Sequence, residues 1–149
     1  MKYKQLKIIA LSLWWGAFTF YAGIVVPVGM KVLDSPIEMG FITQQVTIYL
    51  NIFSLVIFVF YAYCLKNEEF TNRKLVEEVT VISLIGFQLL LFLLHNYQTD
   101  LLDFENKKVI DIDSFYLLHR IYLIIEALIW MVVSILMMRE IFKITREFD

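Results

Sequence analysis

The stretch Phe115–Met138, FYLLHRIYLIIEALIWMVVSILMM, is long and apolar enough to cross a membrane, since a transmembrane helix needs about 20 mostly apolar residues. It nevertheless carries Glu126 near its middle. A carboxylate at that depth costs at least about 2.5 kcal/mol on insertion scales, so such a group normally faces protein or water. His119 lies seven residues earlier, on nearly the same helix face and about 10 Å away along the axis. The stretch therefore predicts a membrane helix whose polar stripe is sheltered by further helices.

The composition places the whole chain among integral membrane proteins. Of its 149 residues 60% are hydrophobic, and the mean hydropathy is +0.70, whereas soluble domains are about 45–50% apolar. The net charge of −2 gives no support to nucleic-acid binding. Cys64 is the only cysteine, so no internal disulfide and no cysteine-pair metal motif can form. The length suits one domain, residues 1–149.

Four apolar runs predict four transmembrane helices, at about 8–32, 46–65, 79–95 and 115–138. Ser35, Pro36 and Glu38 form a capping box, which predicts that the second helix begins at Pro36, before its membrane part. Residues 66–78 are read as a charged connector, and 96–114 as the longest loop. The predicted fold is an all-α, polytopic four-helix bundle.

The first helix carries residues that predict its packing and its depth. Trp14 and Trp15 are expected to anchor it at a membrane interface. Gly16 and Gly23 are seven residues apart, so they share a face that would let another helix approach closely. Pro27 has no N–H to donate to Gly23, and a kink is expected there.

The distribution of basic residues predicts that both termini are cytoplasmic. With that orientation, nine of the 13 lysines and arginines lie inside and four lie outside, which follows the positive-inside rule. The four outer residues are Lys31, Lys107, Lys108 and Arg120. We therefore expect a multi-pass protein of a cell membrane, with a bacterial inner membrane favoured.

Polar residues inside the predicted spans are the candidate site. Gln88 and His95 are seven residues apart on the third helix, as His119 and Glu126 are on the fourth. If these faces meet, they form a polar pocket entered from outside, with Glu126 at its floor. The intramembrane polar site is predicted to comprise Glu126, Gln88, Asn51 and Tyr122.

Several functions are compatible with that stripe. His95 and His119 are the candidate ligands of a transition metal, or the axial ligands of a haem in a redox subunit. Glu126 could instead couple its protonation to movement of a small solute or cation, or the polar groups could be purely structural. A fifth alternative is an assembly subunit that forms a homo-oligomer or binds a membrane partner. No serine–histidine–acid cluster, glycine-rich phosphate loop or paired catalytic carboxylate is present, which disfavours a hydrolase or kinase.

Two segments resemble a known family. They are GAFTFYAGIVVPVGMKVLDSPIEMGFITQQVTIYL, from Gly16, and SFYLLHRIYLIIEALIW, from Ser114. Both are similar to the copper-resistance-protein-D-like family of small four-helix membrane proteins, which is related to transmembrane proteins linked to cisplatin resistance. The resemblance implies a four-helix bundle and metal handling. The chain departs from the family pattern at Glu126, where asparagine is expected, and at Arg120, where glycine is expected.

Overall fold

The computed structural model describes residues 2–67 and 72–145, which are almost entirely helical. The elements are α1 (Lys2–Phe20), a π-helical segment (Tyr21–Val25), α2 (Val26–Leu33), α3 (Pro36–Lys66), α4 (Asn72–Asp100), β1 (Leu102–Asp103), β2 (Lys108–Val109) and α5 (Ile112–Thr145). Four stretches are long and apolar enough to cross a membrane: Tyr3–Leu33, Pro36–Lys66, Lys74–Asp100 and Ile112–Lys143. The predicted all-α bundle of four membrane helices is confirmed, and the chain is a small multi-pass membrane protein.

The four spans form a closed ring in chain order. α3 packs against α1 and α4, and α5 packs against α4 and α1. One end of the bundle holds the start of α1, the end of α3 and the end of α5; we call it the terminal end. The opposite end holds the short connection at Asp34 and the β1–β2 pair; we call it the hairpin end.

The buried faces of α4 and α5 repeat every three and four residues. On α4 the buried residues are Lys74, Glu77, Val81, Leu84, Gln88, Leu91, His95 and Gln98, and on α5 they are Tyr122, Glu126, Ile129, Val133, Leu136 and Glu140. That spacing keeps one seam of each helix against its neighbours, as in coiled-coil-like bundles. It explains why Gln88 and His95 lie on the same buried face.

The first span is irregular just before its proline. Pro27 has no N–H to donate to the carbonyl of Gly23. The residues before it, Tyr21–Val25, form a π-helical turn, and Val26 N–H donates to the Tyr21 carbonyl. Such turns often accompany kinks and functional sites. A π-helical turn therefore directly precedes the proline, and the kink expected at Pro27 stays a prediction.

The start of α3 is confirmed at Pro36. Ser35 is extended, and its hydroxyl accepts a hydrogen bond of 3.2 Å from Glu38 N–H. At the other side of the hairpin end, the predicted loop over 96–114 is wrong. α4 continues to Asp100, because Gln98 extends its buried seam and Thr99 bonds back to the His95 carbonyl.

A small antiparallel pair replaces most of the predicted loop. Leu102 pairs with Val109, and Asp103 pairs with Lys108. The Asp103 carboxylate accepts from the backbone N–H and the side-chain amide of Asn106, which fixes the turn. These hydrogen bonds hold the pKa of Asp103 below its usual range.

Trp14 and Trp15 pack against neighbouring spans, and each donates a hydrogen bond to a serine of another helix. Trp14 is 1% exposed and donates to the Ser54 hydroxyl at 2.6 Å. Trp15 donates to Ser134 at 2.9 Å and stacks on Trp130. The prediction that Trp14 is an interface anchor is therefore wrong, because its ring faces the interior; for Trp15, which is partly exposed, it stays a prediction. Serine hydroxyls on neighbouring helices satisfy their indole N–H groups, which allows these large rings to be buried.

Candidate functional site

A cavity of about 490 Å³ occupies the hairpin-end half of the bundle. It reaches from β1 and β2 to Glu126, and side chains from every span line it. The first span supplies apolar groups such as Phe18, Ala22, Val26 and Met30. The polar lining comes mainly from the other three spans: Thr43, Gln44, Thr47, His95, Gln98, His119, Tyr122 and Glu126. The lining is mostly apolar on every side, and its polar groups are concentrated on the other three spans.

Glu126 is the end point of a hydrogen-bonded chain in the middle of the bundle. Tyr122 Oη lies 3.1 Å from Glu126 Oε1 and 2.8 Å from Asn51 Oδ1. Gln88 Nε2 donates to the same Asn51 oxygen at 2.9 Å. Glu126 is 6% exposed and Asn51 is fully buried. The structure therefore brings together all four residues of the predicted intramembrane polar site.

The hydrogen-bonded series Gln88–Asn51–Tyr122–Glu126 has two self-consistent proton arrangements. The Tyr122 hydroxyl carries one proton, so it cannot donate to Glu126 and Asn51 at once. If Glu126 Oε1 is protonated it donates to Tyr122, which donates to Asn51. If Glu126 is ionised, Tyr122 donates to it and no longer donates to Asn51. Exchanging the amide oxygen and nitrogen positions of both Asn51 and Gln88 then lets Asn51 Nδ2 donate to the Tyr122 oxygen. A proton at Glu126 is thus tied to the orientation of two buried amides.

Four buried polar atoms in and beside the hydrogen-bonded series from Gln88 to Glu126 lack a hydrogen-bond partner within the described ranges. They are Glu126 Oε2, Asn51 Nδ2, Gln88 Oε1 and Gln98 Nε2. Buried polar atoms are nearly always paired, because an unpaired group loses its water without compensation. The residues Glu126 and Gln98 line the cavity. Each therefore brings to the cavity wall a polar atom that no group of the described chain satisfies.

His95 and His119 line the same cavity but have different surroundings. His95 Nδ1 lies 3.2 Å from Gln44 Nε2, which also donates to the His95 carbonyl at 3.0 Å. His119 stacks on Phe115, with ring centroids 6.0 Å apart and an interplanar angle of 5°. Within residues 2–67 and 72–145, no three histidine, cysteine or acidic side chains are grouped to hold a metal ion. The stripe of His95, His119 and Glu126 is therefore not one three-ligand metal site.

A second polar cluster lies at the terminal end, and sequence reasoning missed it. Lys7 is fully buried, and its Nζ lies 3.0 Å from Glu140 Oε2 and 3.9 Å from Glu77 Oε2. Lys143 pairs with both carboxylates. The Tyr61 hydroxyl lies 3.4 Å from Glu140 Oε1. We call these five residues the terminal ion cluster; it joins all four spans.

The sequence does contain a signal for this cluster. Glu77 continues the heptad seam of Gln88 and His95, and Glu140 continues that of Tyr122 and Glu126. Residues 66–78 are predicted as a charged connector, but α4 begins at Asn72 and buries Glu77. Glu140 lies beyond 138, the predicted end of the fourth helix, but within α5. The heptad spacing, and not the local polarity, decides which of these acids are buried.

The predicted packing face of the first span is open. Gly16 and Gly23 are exposed, and a Cβ at either position would meet no atom within 4 Å in the described chain. Their predicted role in helix packing therefore has no counterpart within the described part of this chain, and contact with another chain stays a prediction. Pro27 is also exposed and follows the π-helical segment.

Comparisons of the chain with protein-family models, with curated proteins and with solved structures find no match.

Proposed function

We propose that this protein binds a small solute in the hairpin-end cavity, with Glu126 as the main polar contact. The observation that carries the proposal is Glu126, a buried residue that lines a cavity of about 490 Å³ and whose Oε2 has no hydrogen-bond partner among the described residues. Ligand sites are typically cavities of about 300–1,000 Å³ with mostly apolar walls and a few placed polar groups. An ionisable residue inside a membrane protein usually marks a substrate or proton pathway.

The cavity is closed toward the terminal end. Below Glu126, the buried side chains Ile129, Val133 and Leu136 form an apolar section of α5. Beyond it lies the terminal ion cluster, about 21 Å from Glu126 along the helix. The cavity therefore lies at the hairpin side, and the apolar section and the ion cluster separate a bound solute from the terminal side. Transport of the solute across the membrane would require the helices to separate at both of these places.

We place the hairpin end outside a bacterial inner membrane, on the count of basic residues. The two ends of the bundle then match the predicted cytoplasmic termini and outer loops. We also propose kinship with the copper-resistance-protein-D-like family, on the two segments quoted above. A small solute is favoured over a metal ion because His95 is bonded to Gln44, His119 stacks on Phe115, and no three-ligand group exists among the described residues.

An apolar carbodiimide tests whether small molecules reach Glu126. Dicyclohexylcarbodiimide adds a protonated carboxyl group across one of its C=N bonds, and the adduct rearranges to a stable N-acylurea. We expect one adduct on the purified protein in lipid nanodiscs, mapped to Glu126 by mass spectrometry and lost in Glu126→Gln. Glu77 and Glu140 should remain unmodified, because both are ion-paired and 1% exposed.

Two glycines provide a matched pair of variants for the cavity. Gly40 lines the cavity and Gly86 does not, and a Cβ at either position would meet no atom within 4 Å. Gly40→Phe should fill the cavity and slow the modification of Glu126, whereas Gly86→Phe should leave its rate unchanged. An unmodified Glu126 in the wild type, or equal rates in both variants, would contradict the proposed function.

A further inference from the structure

The charge of the cavity lining points to the class of the solute. Among the described lining residues, Glu126 is the single acidic side chain, and neither lysine nor arginine is present. The basic side chains nearest in sequence do not change this, because Arg120 is exposed and does not line the cavity. An ionised Glu126 therefore has no protein cation beside it within the described lining.

We propose that the solute is a lipophilic amine whose ammonium group donates to Glu126 Oε2; this inference rests on the proposed function. A buried carboxylate is stable only when it is paired and hydrogen-bonded. Tyr122 satisfies Oε1, and Oε2 has no partner within the described chain. An ammonium supplies both the missing positive charge and the missing donor. An anionic solute would find no permanent cation in the lining.

The walls of the cavity indicate that the amine carries an apolar body. α5 packs closely on α1, and α2 packs on α3, but α2 and α5 are not a closely packed pair in the described chain. On these two elements the lining residues Met30 (40%), Tyr116 (53%) and Leu123 (52%) are partly exposed. The proposed amine enters here, between α2 and α5, with its apolar body toward the lipid.

The π-helical segment marks where the first span changes its surroundings. α1, up to Phe20, packs against α5, and Tyr21–Val25 is π-helical. The apolar lining residues Ala22, Val26 and Met30 follow from that point. From Glu126 to the start of α5 the cavity wall extends about 21 Å. An elongated amine fits this shape, with its ammonium at the floor and its chain along these apolar residues.

The test uses N,N-dimethyldodecylamine and dodecanol, which share a chain and differ in charge; a tertiary amine, unlike a primary one, cannot form an amide with the activated carboxyl group. Purified protein in nanodiscs of zwitterionic lipid is treated with dicyclohexylcarbodiimide in the presence of either compound. We expect the amine to slow the modification of Glu126 by about tenfold or more, as expected for a buried charge pair. Dodecanol at the same membrane concentration should have little effect.

A direct binding measurement shows whether the amine is held by the charge of Glu126 or only by the shape of the cavity. Tritiated dodecylamine should bind the wild type saturably, and Glu126→Gln should weaken that binding by about tenfold or more, whereas Glu126→Asp should retain it. Glu38→Gln, which changes an exposed acid at the hairpin end, should have no effect.

The outcomes distinguish the two proposals. Equal protection by dodecanol, or amine binding unchanged in Glu126→Gln, would overturn the amine as solute while leaving the cavity as a site. Failure of the carbodiimide to reach Glu126 with no competitor present would overturn the proposed function itself.

Discussion

Loss of the Glu140 carboxylate should destabilise the terminal end of the bundle strongly. Glu140 is 1% exposed, and its Oε2 is the nearest carboxylate oxygen to the fully buried Lys7, at 3.0 Å. At an effective dielectric constant of about 20, that pair attracts by about 5 kcal/mol, part of which offsets the desolvation of both groups. Removing one partner of a buried pair typically costs about 3–5 kcal/mol. We expect Glu140→Leu to lower the free energy of unfolding by that amount.

The assay is equilibrium unfolding in mixed micelles of mild detergent and dodecyl sulfate, followed by tryptophan fluorescence. Trp14 lies in the core, and Trp15 and Trp130 pack against it, so their emission reports loss of the bundle. Glu38→Gln is the matched control, because Glu38 pairs with Lys107 on the surface at 3.7 Å. Exposed pairs contribute about 0–1 kcal/mol, so this variant should remain close to the wild type.

The double variant Lys7→Met with Glu140→Leu decides whether the charge is responsible. It removes the buried ammonium together with its nearest carboxylate, and leaves Lys143 paired with Glu77. We expect it to recover most of the stability that Glu140→Leu loses, because replacing a buried pair by apolar groups is often neutral. Glu140→Leu within about 1 kcal/mol of the wild type, or a double variant no more stable than Glu140→Leu, would refute this reasoning.

Three further predictions concern other parts of the bundle. Ser54→Ala should cost about 1–3 kcal/mol in the same unfolding assay, because it leaves the buried indole N–H of Trp14 without its acceptor. Asn51→Leu should cost a similar amount or more, since Gln88 and Tyr122 both use its side chain. The hairpin should keep the Asp103–Asn106 hydrogen bonds below pH 3.8, the ordinary pKa of aspartate, because the folded pKa is lower still. That contribution to stability is complete above the ordinary pKa and disappears as the pH falls through the folded pKa, which the Asn106 amide resonance would report.

The architecture was predictable because hydrophobic length alone decides it. Each apolar run is long enough to span a bilayer, and the capping box at Ser35 marks the start of α3. The helix ends were harder to predict, because α4 continues through a polar segment to Asp100. There the buried seam of His95 and Gln98 overrides the local composition.

The polar site at mid-membrane was also predictable. Glu126, Tyr122 and Gln88 lie within apolar runs, where each needs a partner, and all three lie on helix seams that face the interior. The partners themselves depend on how the helices are rotated, which one sequence does not specify. For the same reason the terminal ion cluster was missed, since Lys7, Glu77 and Glu140 come from three distant segments.

The tryptophans show how local residue preference can mislead. Trp14 and Trp15 lie near a basic N-terminus, which is typical of interface anchors. Their indole N–H groups instead find hydroxyls of Ser54 and Ser134 on neighbouring helices. Those serines belong to other spans, so the pairing becomes visible only once the helices are packed.

The most direct test of the central claim is a crystal structure of the protein grown with a terminally brominated long-chain amine. Anomalous scattering locates the bromine independently of the protein coordinates. The account predicts a bromine peak between the apolar residues of the first span and α5, with the ammonium within hydrogen-bond distance of Glu126 Oε2. A well-ordered protein with an empty cavity, or with the amine bound only on the outer surface of the bundle, would contradict it.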